Sequence, residues 1–154
     1  MAVSAFPAVV DALVALAPAV VPAGVTVADA MPSGDDPADF LAVGMPSLDE
    51  QGSMFAGDSR QSWAEVGAGA RNEEGFVNCL AAARSTDETV KGARDRAFAI
   101  AEAVAALCRA NPSLGVDQLL WTSYGTETNP GVLYEPGKAV SFFVEFQIAY
   151  RARI

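Results

Sequence analysis

Apolar residues recur along this chain with two periods, and each period marks a different kind of element. Phe6, Val9, Val10, Leu13, Leu16 and Ala17 form one stripe at helical spacing. Ser4 precedes the stripe as a candidate N-cap, Pro7 falls in the tolerant first turn, and Pro18 ends the run. A second stripe, Val90, Ala93, Ala97, Ala101, Val104 and Cys108, is made mostly of small side chains, so its helix should approach a sheet closely. Ser85 with Glu88 reads as the capping box of this helix, with Asp87 and Glu88 at the positive end of its dipole and Arg109 at the negative end. Asn111-Pro112 stops it, and Asp87, Lys91 and Asp95, spaced by four on the far side, read as a solvated face.

The other period is two. Residues 25–29 and 40–43 read as short strands, separated by a Pro- and Asp-rich turn over 31–39. The carboxylates Asp35, Asp36 and Asp39 in that turn lack the spacing and glycine of a calcium loop and read as solvated. Trp63 and Val66 begin a hairpin that turns at 67–70 or within 71–75 and returns through 76–84. Residues 119–124 make another strand. The last strand is explicit, with Val140, Phe142, Val144, Phe146, Ile148, Tyr150, Ala152 and Ile154 on one face. At about 3.3 Å per residue it approaches 50 Å, whereas a compact domain of this length has a radius of gyration of about 15 Å. The expectation is therefore a bend at a bulge, or pairing outside its own domain.

Two stretches, 44–60 and 125–137, show neither period and are rich in turn residues. Loops longer than about 12 to 15 residues are uncommon in compact domains and usually carry function. The candidate interface residues lie there: Asp49, Glu50, Phe55, Asp58 and Arg60 in the first, Tyr134 and Glu135 in the second. The element order predicts an α+β fold, a largely antiparallel or mixed sheet of four to six strands with two helices on one face. With 154 residues, the expectation is a single domain over 1–154.

Composition narrows the chemistry. Hydrophobic residues make up 51% of the chain and charged residues 19%, the balance of a folded protein. The net charge of −9, with no basic patch, disfavours binding to nucleic acid or anionic lipid. There is no histidine, which excludes Ser-His-Asp and Cys-His catalysis, His-ligated zinc and a histidine pH switch. Ser59, in a Gly-Asp-Ser-Arg sequence, thus has no base and reads as a loop serine. The Gly-Ala-Gly-Ala run at 67–70 lacks the lysine of a phosphate-binding loop. Cys79 and Cys108 are far apart in sequence and read as buried reduced thiols. The apolar segment 2–25 is broken by Asp11 and three prolines and lacks a basic leader, so it reads as a helix of a cytoplasmic protein rather than as a signal peptide or membrane span. No catalytic residue, cofactor or metal ligand is assigned.

Taken together, the N-terminal AFPAVVDALVALA helix, the GVTVADAMPSGDDPADFLAVG two-strand unit, the central Trp63-Ala64-Glu65-Val66-Gly67 and Arg71 to Val77 hairpin, the helix TVKGARDRAFAIAEAVAALCRANPSLG and the closing AVSFFVEFQIAYRARI strand resemble the tail terminator (tail completion) proteins of long-tailed bacteriophages, especially phages of GC-rich actinobacteria. The resemblance implies a homohexameric ring in the virion, at the head-proximal end of the tail tube. Such a ring stops polymerisation of the tube protein and offers a docking surface to head-completion proteins. It implies no active site, no cofactor and no membrane. Genomic DNA would pass through without specific binding, which an acidic ring would favour. The alternatives are a head-completion or stopper subunit, a small cytoplasmic adaptor, or an enzyme using a carboxylate pair such as Glu73 with Glu74. Against that pair, adjacent strand residues point to opposite faces.

Overall fold

The computed structural model describes residues 3–32, 39–45, 47–48, 54–64, 67, 69–85, 89–135 and 139–154. Helix α1 (Phe6–Leu16) forms on the first stripe, buries Val9, Val10 and Leu13, and passes into a 3-10 turn, Ala17–Ala19, at Pro18. Strands β1 (Thr26–Asp29) and β2 (Asp39–Val43) then pair in parallel, followed by the two-residue strands β3 (Ser47–Leu48) and β4 (Met54–Phe55). Next come β5 (Gly57–Trp63), β6 (Arg71–Ser85), helix α2 (Val90–Ala110), β7 (Leu119–Glu135) and β8 (Ala139–Arg153). Among the described residues six strands make one mixed sheet in the order β1-β2-β6-β8-β7, with β5 also on β6. This is the expected α+β fold.

Strand β6 organises the sheet. One of its edges pairs with β8 over residues 72–85; the other is shared end to end, β5 taking 71–77 and β2 taking 79–83. Its odd-numbered residues Val77, Cys79, Ala81 and Ala83 are buried, as are the even-numbered residues of β8 from Val140 to Ala152. These two rows face α1 and α2, whose Val9, Leu13, Ala97, Ile100 and Val104 complete the same apolar cluster. Each fully buried Val, Leu, Ile or Phe contributes about 1.5–3 kcal/mol by leaving water. Cys79 and Cys108 both lie in this core as buried thiols.

Helix α2 uses the predicted stripe with two additions and one loss. Ile100 and Ala105 join it, while Val90 is 42% exposed at the helix start. Helix α2 begins later than the predicted capping box places it, and Glu88 of that box lies outside the described residues. Strand β6 runs on through Ser85, and the residue preceding the helix is Thr89, in extended conformation and with no side-chain cap bond. Ser85 Oγ lies 3.3 Å from Thr89 Oγ1, and Asp87 also lies outside the described residues. Lys91 and Asp95 form an exposed ion pair, as expected of a wet face.

One open alternative is decided and two other expectations are corrected. The central hairpin turns between Trp63 and Arg71, where Ala64 N donates to Ala70 O at 3.0 Å, so the turn is the expected one at 67–70 and the polar stretch 71–75 is strand. The final strand β8 is interior, flanked on both edges by partners about as long as itself; the register shifts fall in β7. The stretch 125–137, read as a loop, is mostly strand, because β7 continues to Glu135 opposite Ala139. Its turn-like residues fit for reasons the period does not reveal. Pro130 is tolerated because β7 is an edge strand, and Gly131 lies beneath the Phe143 ring, 2.4 Å from where a Cβ would be.

Candidate functional site

The stretch 44–60 contains two different structures. Val43 ends β2 and Gly57 begins β5, and both chain ends are pinned to a single residue of β6: Met45 N donates to Asn78 O at 3.1 Å, and Asn78 N donates to Ala56 O at 2.8 Å. Gly44 turns the chain away from the sheet with φ +69°, a conformation that disfavours other residues. Between these pins, Ser47 pairs with Phe55 and Leu48 with Met54 as a small sheet of their own. The chain therefore leaves the main sheet beside Asn78 and returns there, as an arm with a closed root.

Of the candidate interface residues, Phe55 is in this arm, opposite Ser47. Asp49 and Glu50 lie outside the described residues. Asp58 and Arg60 are not in a loop but on strand β5, exposed on the sheet face away from the helices. Ser59, read as a loop serine, is likewise on β5, paired with Gly75. Arg60 lies opposite Glu74, which lies opposite Arg151, which in turn lies opposite Trp121. Arg151 Nε approaches Glu74 Oε1 at 3.4 Å. This rung crosses four strands on the open face and presents alternating charge with an indole at the edge strand.

Tyr134 and Glu135 end β7, at the far end of the β7–β8 hairpin. Val132, Leu133 and Tyr134 are 53%, 54% and 54% exposed in succession, so both faces of the edge strand show apolar surface there. Sequence reading found Tyr134 but missed Val132 and Leu133; their run of apolar residues before Glu135 was the available signal.

The paired-carboxylate reading separates into two unrelated residues. Glu74 faces the open side, whereas Glu73 is fully buried beneath the N-terminus of α1. Its carboxylate accepts from Tyr150 Oη at 2.6 Å, Ser4 Oγ at 2.7 Å, Gln61 Nε2 at 2.9 Å and Ala5 N at 3.2 Å. Ser4 thus works through Glu73, and its hydroxyl also accepts from Phe6 N at 3.1 Å. A buried charge with four donors is a structural centre, and no face of it is open to a substrate. Burial, and then the Glu73 carboxylate, push the Tyr150 hydroxyl above its ordinary range, against smaller opposing effects of Ser59 and Ser4.

Two concavities stand out among the described residues. One of about 70 Å³ lies on the open face at the root of the arm, lined by Met45, Asn78, Glu127, Asn129, Glu145 and Gln147 among others. The other, an open groove of about 280 Å³, runs between α2 and β7 past Phe98, Ala101 and Tyr124. Both are smaller than the roughly 300–1,000 Å³ of ordinary small-molecule sites. Asp39, from the acidic turn, is engaged by Arg96 Nε at 2.9 Å and by Arg84 N at 3.1 Å; Asp35 and Asp36 lie outside the described residues. Among the described residues no helix is long and apolar enough to cross a membrane.

No protein-family model matches this chain, and no curated protein matches it in sequence.

Proposed function

We propose that the chain is a structural subunit of a phage virion, a tail terminator that assembles as a homohexameric ring at the head-proximal end of the tail tube. The observation that carries this reading is a pair of surfaces on one sheet: the arm rooted at Asn78 and the exposed run Val132, Leu133 and Tyr134 on the edge strand β7. A protein that stops a polymer needs a surface that fits the polymer's end and a second surface that offers no template for the next layer. Segments displayed on a folded scaffold supply such surfaces without any reaction. Exposed aromatic and aliphatic side chains in a run are the usual anchors of protein interfaces.

The net charge of −9 also favours this reading, since an acidic ring lets DNA slide through without adhering. The partners are then further copies of the chain, the tube protein below and a head-completion protein above, with no membrane. Purified chain added to polymerising tube protein tests this. Tubes should become shorter and end in a ring at one tip; an unchanged length distribution with bare tips counts against the proposal.

A further inference from the structure

The N-terminal segment touches both ends of strand β5. At one end the Phe6 ring packs on Gly57, where a Cβ would lie 2.4 Å from the ring. At the other, the Gln61 amide donates to Val3 O at 2.7 Å and to Glu73 Oε2 at 2.9 Å. Among the described residues, the other ties of β5 are its ladder to β6 and the contact of Ser59 with the Tyr150 hydroxyl. The strand pairs with β6 on one edge, and Asp58, Ser59, Arg60, Ser62 and Trp63 are all exposed. Directly before it lies Ala56, whose carbonyl is one of the two pins of the arm on Asn78.

We propose that residues 3–6 are a clasp that holds β5, and with it one root of the arm, onto the sheet. The coupling lies in Glu73. If the N-terminal segment leaves, the carboxylate loses Ser4 Oγ and Ala5 N, and Gln61 loses its Val3 acceptor. A buried carboxylate left with a shortened set of donors is driven to seek water, and the nearest route is through the layer formed by residues 3–6 and Gln61. Opening the segment therefore leaves Gln61 with one of its two acceptors, Glu73, and leaves β5 with its ladder to β6 and the Ser59 contact to the Tyr150 hydroxyl. Lifting β5 first has the same consequence in reverse, because Phe6 loses Gly57 and Glu73 loses Gln61. The two pieces open as one local unit, while β6, β8 and α2 stay folded. The arm's second pin, Met45 on Asn78, lies on the β2 side and does not belong to this unit.

Amide hydrogen exchange of the full chain, read by NMR, tests the clasp. In a Ser4→Ala, Phe6→Ala double variant, the ladder amides of β5 should exchange at least about tenfold faster, with β8 amides at 143–149 unchanged. Unchanged β5 exchange overturns the proposal, and so does equal acceleration everywhere. If the double variant does not fold, the parent protein decides under weak denaturant. Amides of Ala5, Phe6 and β5 should then share one opening free energy and one denaturant slope, below those of β8. Separate openings, or opening of β5 only with the whole protein, overturn it.

Discussion

Tyr150 donates its hydroxyl to Glu73 at 2.6 Å across 77 residues of sequence, and so joins the last strand to the carboxylate that anchors the first helix. The register permits this because Tyr150 lies opposite Gly75, where a Cβ would be 2.8 Å from the Tyr150 oxygen. Tyr150→Phe keeps the ring and removes the shortest of the four bonds. Hydrogen bonds to charged groups contribute about 1.5–3 kcal/mol, so the urea midpoint should fall by that equivalent with the m-value unchanged. No change in midpoint would show that the carboxylate is held by its other three donors alone.

High pH should destabilise the fold through its thiols. Burial pushes Cys79 from 9.0 up to about 12, against a hydrogen bond from the Gly44 backbone, and burial also raises Cys108 against Thr122 and Arg109. The folded state holds these protons more tightly than the unfolded state. The associated stability is complete below pH 9 and is lost as pH climbs toward 12, by up to about 1.4 kcal/mol per pH unit for one such group. Tyr150 titrates in the same sense. An alkaline stability curve should thus fall steeply above pH 9, and less steeply for Cys79→Ala; identical slopes for parent and variant would contradict the burial argument.

Ala97 is fully buried on the stripe of α2 that faces the sheet. Ala97→Phe should overpack that contact and cost about 1–3 kcal/mol in denaturant unfolding. Val90→Ala, on the exposed first turn, should stay within about 0.5 kcal/mol of the parent.

The exposed run at the end of β7 separates binding from folding. Val132→Thr, Leu133→Thr and Tyr134→Thr together keep strand-forming residues and leave the core untouched, so thermal stability should change by about 0.5 kcal/mol or less per site. The same triple variant should no longer shorten polymerising tail tubes. A variant that kept its stability but still capped tubes would move the contact to the arm alone.

How much was legible in advance depended on whether a residue's partner was local. The α2 stripe and the β8 alternation were readable because burial on one face imposes a period, and the fold class followed from their order. The ends of elements were less readable. Ser85 has the chemistry of a cap, and the ladder between β6 and β8 also extends through Ser85↔Val140, so the same residue ends a strand. Pro130 and Gly131 have the chemistry of a turn, yet an edge position and the overlying Phe143 ring make both acceptable in β7. Glu73 was the hardest case, since its donors come from residues 4, 5, 61 and 150 and only the three-dimensional arrangement brings them together. Of the candidate interface, Tyr134 was found by its neighbourhood of turn residues. Asp58 and Arg60 were found as surface, but their place on a strand opposite Phe76 and Glu74 was not visible in a segment without period.

The central claim is that this chain ends a tail tube by occupying its tip. Electron microscopy of a lysate from a phage lacking the gene tests it most directly. The account predicts tail tubes of uncontrolled length beside full, tailless heads, with normal virions restored by supplying the chain in trans. Tails of normal length joined to heads in the deletion lysate would contradict it.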